Sequence, residues 1–196
     1  MLKRLIDVIC GLVGTCLTIV LTPFVGFAIV LETGFPIFVA LDRVSEGKII
    51  KVYKFRSMVK NAREKKKELA HLNERTDGPL FKIKNDPRLT KVGKFLRRFR
   101  LDEFPQFFNV LMGNLSLVGP RPHEPEEIDA YPLEFKNLRF TKAGLTGLSQ
   151  VNGASSLPFR KELEFDEYYA EHKSCWLDIK ILFKTIWIFF SDPTGV

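Results

Sequence analysis

From Val8 to Leu31 the chain runs for 24 residues without a charged side chain. As a straight helix such a run is about 36 Å long, enough to cross a hydrocarbon core of about 30 Å. No small-x-small cleavage site closes it, and it is longer than the apolar core of a secretory leader. Its flanks decide how it sits. Lys3 and Arg4 precede it, and residues 32–67 hold ten Lys or Arg against four acids. The positive-inside bias therefore asks for the cytoplasm at both ends. Thr22-Pro23 offers the place to turn. Pro23 cannot donate to the carbonyl of Ile19 and its ring clashes there, while Thr22 can fold its hydroxyl back onto the carbonyl of Thr18. The reading is a re-entrant helical hairpin over residues 1–31, broken at Thr22-Pro23, ahead of a tilted single pass or a buried soluble helix.

The 196 residues suffice for one domain with a real core. Charge is uneven along them: the net is +6 over residues 81–122 and −4 over 123–196. A basic middle suits an anionic partner, whether a phosphate-bearing substrate, an acidic membrane surface or nucleic acid. Cys10, Cys16 and Cys175 are too scattered for a disulfide framework or zinc spacing, as expected of reduced cytoplasmic thiols.

Residues 36–41 and 48–55 read as strands around a Ser45-Glu46-Gly47 turn, and residues 60–74 as a charged helix. Asp86-Pro87 looks like a helix start, with aspartate as N-cap. In the helix that follows, Val92, Phe95, Leu96 and Phe99 form an apolar stripe that packs on a core or lies in a membrane interface. Phe104 to Met112 form a second helix stopped by Gly113-Asn114, and Leu115 to Val118 a short strand. Residues 144–153 read as an irregular loop rich in small and amide residues. Trp176 to Phe190 form a core or interfacial helix. The class is α+β and mostly helical, with amphipathic interfacial helices, a small β-hairpin and irregular loops.

Within the basic middle, Asp102 and Glu103 stand side by side. Surrounding cations favour an ionised carboxylate, so at least one of the pair should be an anion at neutral pH. Such a group can be a nucleophile, a metal ligand or a general base. It can also simply cap the helix that Pro105 helps to start. Arg121, pinned between Pro120 and Pro122, loses little entropy in clamping a phosphate. Lys54 and Arg56 are further phosphate-clamp candidates, or ordinary surface cations.

Taken in order, several segments resemble the small monotopic phosphoglycosyl transferases, the bacterial sugar transferase family. They are Lys3-Arg4-Leu5-Ile6-Asp7, the proline-interrupted apolar run, Tyr53-Lys54-Phe55-Arg56-Ser57-Met58, Asn85-Asp86-Pro87-Arg88 and Leu101-Asp102-Glu103. Ser116-Leu117-Val118-Gly119-Pro120-Arg121-Pro122 and Gln150-Val151-Asn152-Gly153 complete the set. The resemblance implies one monotopic catalytic domain over 1–196, with residues 32–196 as its cytoplasmic globular and interfacial part. It implies transfer of a sugar phosphate from a UDP-sugar to a polyprenol phosphate such as undecaprenyl phosphate, with release of UMP. Such a step opens glycan assembly, as in exopolysaccharide or O-antigen biosynthesis, at the cytoplasmic face of a bacterial inner membrane.

By the same resemblance Asp102 is the covalent nucleophile and Glu103 its partner in a catalytic dyad. Arg121, Lys54, Arg56 and Arg88 bind substrate phosphate, and Gln150 and Asn152 belong to a nucleotide- or sugar-binding loop. Mg²⁺ is the expected ion, with Asp102 as a ligand. Partners beyond the lipid bilayer would be downstream glycosyltransferases, with a homodimer left open and no nucleic acid. Thr22, Arg100, Ala143 and Ser149 depart from the family's usual residues without removing a catalytic group. The rival reading is a non-catalytic scaffold docking on acidic lipids. A nucleic-acid binder finds no motif in its favour.

Overall fold

The computed structural model describes residues 1–153 and 156–191. Its first element, α1 (Leu2–Thr33), is a single helix of 32 residues with Pro23 inside it. The expected interruption at Thr22-Pro23 is therefore corrected: the helix continues through the proline. Contact with the body beneath it holds the stretch before the proline in place. Thr22 Oγ1 donates to Thr18 O at 2.7 Å, as its position foretells. Thr18 Oγ1 in turn reaches Gly14 O at 2.7 Å and Phe104 O at 3.0 Å, tying the stretch before the proline to the body.

One side of α1 faces that body along its whole length. Asp7, Gly11, Gly14, Thr18, Gly26 and Ile29 are buried, spaced mostly three or four apart, so they share a face. The opposite side exposes Ile9, Leu12, Val13, Ile19, Val20, Phe24, Phe27 and Leu31. Among the described residues this is the one helix long and apolar enough to cross a membrane.

Both ends of α1 are bonded to the same body. At its start, Asp7 Oδ1 accepts from Leu117 N at 2.8 Å and its Oδ2 from Ser116 Oγ at 2.9 Å. At its far end, Glu32 accepts from Lys91 N at 2.7 Å and Val92 N at 2.9 Å.

A hairpin follows, β1 (Phe38–Ser45) and β2 (Lys48–Phe55), antiparallel from Phe38↔Phe55 to Ser45↔Lys48. Glu46 and Gly47 both have positive φ (52° and 73°), the geometry that two-residue hairpin turns require. The charged stretch beyond it is the shorter α2 (Ala62–Glu68) plus a 3₁₀ turn at Ala70–Leu72. The helix start expected at Asp86-Pro87 also needs correction. Helix α3 (Lys91–Arg98) begins later, capped by Thr90 Oγ1, which accepts from Gly93 N at 2.8 Å. Asp86 is occupied instead by its own neighbour Arg88. On α3, Leu96 is buried against Ile29 and Phe55, whereas Phe95 stays exposed.

Arg100, in the left-handed region (φ 52°), turns the chain into a 3₁₀ turn at Leu101–Glu103. Helix α4 (Gln106–Met112) comes next and ends at Gly113 with φ 86°, as expected of a glycine stop. It packs along α1. A β-carbon on Gly14 would lie 2.2 Å from the Phe107 ring, and one on Gly11 would lie 2.9 Å from Leu111 N. Arg4 caps the end of α4 by donating to Val110 O and Leu111 O, both at 2.8 Å.

Strands β3 (Ser116–Val118) and β4 (Gly144–Thr146) pair in parallel, joined through α5 (Pro125–Asp129) and a 3₁₀ stretch at Leu133–Phe140. The stretch expected as an irregular loop thus contains β4 and a short helix, α6 (Leu148–Val151). Two longer helices complete the body, α7 (Phe159–His172) and α8 (Cys175–Ser191). The latter matches the C-terminal helix expected. It buries Ile181 and exposes Trp176, Phe183, Trp187 and Phe190.

The close approach of α1 and α4 generates a prediction. Gly14→Leu forces a side chain into the Phe107 ring and should destabilise the folded protein by about 1–3 kcal/mol. Ile9→Ala, on the exposed side, should leave it within about 0.5 kcal/mol of wild type. Thermal unfolding in detergent reads both, and equal midpoints for the two variants would refute the packing.

Candidate active site

Asp102 and Glu103 sit in the 3₁₀ turn between α3 and α4, where Arg100's left-handed backbone redirects the chain. A non-glycine residue there stores strain, a common mark of functional turns. Lys54, near the end of β2, meets them from across the fold: its Nζ lies 2.6 Å from Glu103 Oε1. Asn109 holds the two elements in register. Buried in α4, it accepts from Tyr53 N at 3.0 Å and donates to Lys51 O at 2.7 Å, so β2 and α4 cannot slide apart.

The two carboxylates differ in environment. Asp102 is only 5 % exposed, whereas the Glu103 side chain is about a third exposed (36 %). Burial raises the pKa of Asp102, Lys54 opposes the rise, and the charge on Glu103 adds to it. Desolvation also works against Glu103, but Lys54, Arg121 and Arg100 outweigh it and bring its pKa down to about 2. The expectation of at least one anion is met, and Glu103 is the one that holds the charge firmly. The helix-cap role foreseen for Asp102 is not taken up: α4 has Pro105 at its N-cap and no side-chain cap. What remains is a desolvated carboxyl beside a compensated carboxylate, with one lysine serving both.

Arg121 lies just beyond β3, exposed, and its charge favours the ionised Glu103. Three glycines let its loop pass close to β4 and α6. A β-carbon on Gly119 would lie 2.6 Å from Lys142 O, on Gly144 2.1 Å from Gly119 N, and on Gly147 2.2 Å from Gly119 O. Gln150 and Asn152 are thereby brought onto the element next to this loop. Their amide groups turn to their own backbone, Gln150 Nε2 to Leu145 O at 3.2 Å and Asn152 Nδ2 to Leu148 O at 2.8 Å. Asn152 Oδ1 accepts from Lys184 Nζ at 2.7 Å, while Gln150 Oε1 is buried with no hydrogen-bond partner among the described residues.

Two expected phosphate ligands are used elsewhere. Arg56 is buried and donates to Thr33 Oγ1 and Gly34 O, clamping the end of α1. Arg88 is buried too, with Nε 2.9 Å from Asp86 Oδ1 and its guanidinium over the Phe81 ring. In this structure both make internal contacts, Arg56 through Nη2 to the end of α1 and Arg88 to Asp86, and binding of a substrate phosphate by either remains an expectation of the sequence. Sequence reasoning in turn missed Asn109 and the polar side of α7. On α7 the buried positions Glu162, Asp166 and Tyr169 interleave with Phe159 and Leu163, which blurs the apolar period. Acids repeating at a spacing of four inside an otherwise buried stripe were the available signal.

A buried carboxyl, an adjacent carboxylate and two cations make a set suited to phosphoryl chemistry. Among the described residues no group of three or more His, Cys, Asp or Glu could cage a metal ion. Mg²⁺ commonly binds through one or two carboxylates plus substrate phosphates, and the Asp102–Glu103 pair fits that mode.

The burial of Asp102 gives a signed expectation. Its folded pKa lies above the ordinary 3.8, so its ionisation costs folding free energy above the folded pKa and nothing below the unfolded one. Asp102→Asn removes that cost. The variant should melt higher than wild type at pH 7, and the gain should shrink as pH falls toward 3.8. A lower melting point at neutral pH would contradict the assigned burial penalty.

Comparison with known sequences shows the family to which the chain belongs. A family profile, bacterial sugar transferase, matches residues 1–192. An undecaprenyl-phosphate galactose phosphotransferase of Salmonella typhimurium is 40% identical over 191 residues, 94% of this chain and 39% of the relative. A UDP-glucose:undecaprenyl-phosphate glucose-1-phosphate transferase of Escherichia coli is 38% identical over 202 residues, 95% of this chain and 39% of its own length. The chain thus spans about two fifths of these larger relatives. An uncharacterised sugar transferase of Bacillus subtilis, 35% identical over 186 residues, is covered over 85% of its length. With the family profile matching from end to end of the described body, the chain belongs to the bacterial sugar transferase family.

Proposed function

We propose that this protein transfers a sugar phosphate from a UDP-sugar to undecaprenyl phosphate, through a covalent intermediate on Asp102. The observation that carries the reading is the pairing of a buried, weakly compensated Asp102 with a Glu103 held ionised by Lys54. The relatives' names supply the substrate class: they are phosphotransferases acting on undecaprenyl phosphate.

In the first step a carboxylate oxygen of Asp102 attacks the phosphorus next to the sugar. The bond from that phosphorus to the bridging oxygen breaks, and UMP departs with the electron pair. Desolvation leaves the Asp102 carboxylate poorly satisfied, so bond formation to phosphorus relieves an existing cost. In the second step an oxygen of undecaprenyl phosphate attacks the same phosphorus. The acyl phosphate bond breaks, Asp102 is restored, and a polyprenol diphosphate sugar results. Arg121 binds the transferred phosphate, and Lys54 keeps Glu103 from repelling the incoming anions. Glu103, already ionised, orients the acceptor phosphate. Mg²⁺ held by Asp102 and substrate oxygens would supply further neutralisation of phosphate charge.

The exposed apolar side of α1 is read as the membrane-contacting surface, with the body on the cytoplasmic face of the inner membrane. Both ends of α1 bond to one body, which supports same-side placement of the two ends without a break at Pro23. A re-entrant helix can therefore be shallow and continuous. The exposed aromatic side of α8 offers a second interfacial surface.

UMP release from UDP-galactose, UDP-glucose and UDP-N-acetylgalactosamine, with undecaprenyl phosphate as acceptor, tests the reaction. Asp102→Asn should lose turnover by at least about 10³-fold while remaining in the membrane fraction. Wild-type UMP release by that variant would remove Asp102 as nucleophile. Topology is checked with Leu2→Cys and Phe35→Cys in a background lacking Cys10, Cys16 and Cys175. Labelling of either position from the periplasmic side of intact cells would overturn same-side placement.

A further inference from the structure

Arg121 stands between two prolines, so it carries the one backbone N–H of the triplet Pro120-Arg121-Pro122. That proton goes to α7: Asp166 Oδ2 accepts it at 3.3 Å. The contact is one of three in series. Tyr169 Oη lies 3.0 Å from Val118 O, and Glu162 Oε1 lies 3.4 Å from His123 Nε2. Glu162, Asp166 and Tyr169, spaced four and three apart, share one face of α7. They meet His123, Arg121 and Val118 in antiparallel order. All three are at most 2 % exposed, as is His123.

Packing alone does not account for this face. Two carboxylates one helical turn apart, taken fully out of water, cost more than apolar side chains of similar volume would. Glu162 is compensated by Arg75 at 3.7 Å and His123 at 3.4 Å, whereas Asp166 has, among the described residues, only the nearby Ser149 hydroxyl and the Arg121 N–H and no ion pair. Burial raises Asp166 to about 7, although Ser149 and Arg121 N–H both favour its ionised form. Either protonation state leaves an oxygen to accept from Arg121. The lower end of the series joins the membrane helix: Lys3 Nζ donates to Val118 O at 3.0 Å and pairs with Asp178 at 2.7 Å.

We propose that the polar face of α7 fixes the Arg121 loop relative to Asp102 and Glu103, with Asp166 as the positioning residue for the phosphate-binding arginine. Asp166 touches no substrate in this scheme. It acts through the Arg121 backbone, which in turn sets where the exposed guanidinium can reach. The inference rests on the role given to Arg121 in the proposed function.

A double-mutant cycle tests it, reading UMP release by the membrane-bound full chain with the UDP-sugar that wild type turns over. Asp166→Ala should lower kcat/KM about tenfold, and Asp166→Asn, which keeps an acceptor oxygen, should stay within about threefold of wild type. In an Arg121→Ala background, Asp166→Ala should change kcat/KM less than about twofold. Equal losses in both backgrounds would overturn the proposal. Hydrogen exchange gives a readout independent of turnover: the Arg121 amide should exchange faster in Asp166→Ala and like wild type in Asp166→Asn. Unchanged exchange in Asp166→Ala would also overturn it. If the alanine variant does not fold, Asp166→Ser, too short to reach the amide, takes its place with the same expectations. Wild-type activity in Arg121→Ala would sink the phosphate-binding role of Arg121 itself, while the exchange result would still report on the anchoring.

Discussion

Everything in this structure hangs on how closely the apolar helix α1 can approach the body. Gly11 and Gly14 bring its backbone against Leu111 and the Phe107 ring, so α4 is laid along it rather than near it. Asp7 then reaches the Ser116 hydroxyl and the Leu117 amide of β3, a contact that a bulkier interface would leave unmade. The turn bearing Asp102 and the strand leading to Arg121 are thus both referenced to one helix. A long apolar helix sets the relative positions of the acidic pair and the Arg121 loop.

The two acids of the pair are unequally compensated. One lysine serves two carboxylates, and Glu103 takes most of its compensation while Asp102 is the more buried of the two. A carboxyl in that position is a poor structural choice, since burial disfavours its charged form and no cap hydrogen bond offsets the loss. Arg100 adds strain at the entry to the same turn. Such departures from local preference are expected where a fold is bent to a task.

Elements with a local cause were legible from the chain. The hairpin has its two positive-φ residues at Glu46 and Gly47, α4 has its glycine stop, and α8 has a run of aromatics. The loop with Arg121 was marked by its flanking prolines, and the acidic pair by its basic surroundings. Cations were harder to assign, because charge in a sequence does not say where an acceptor lies. Arg56 and Arg88 looked like Lys54 on paper. In the fold, Arg56 meets the end of α1 and Arg88 meets Asp86, whereas Lys54 reaches Glu103. Asp86 was misread for a related reason: its short carboxylate can cap a helix or bind the arginine two residues on, and here the arginine wins.

By itself the sequence determined that one long apolar helix leads a basic, mostly helical body, and that an acidic pair and a proline-flanked arginine stand within it. These follow from local chemistry: uncharged runs, turn residues and the stiffness of proline. Only the tertiary structure decided that α1 stays whole through Pro23, that Lys54 compensates Glu103 while burial weighs on Asp102, and that α7 grips the Arg121 loop. Each of those depends on groups distant along the chain: Phe104 beside Thr18, Lys54 beside Glu103, Asp166 beside Arg121. A carboxylate's proton and a helix's continuity are set by what packs against them, and the packing partner is chosen by the fold.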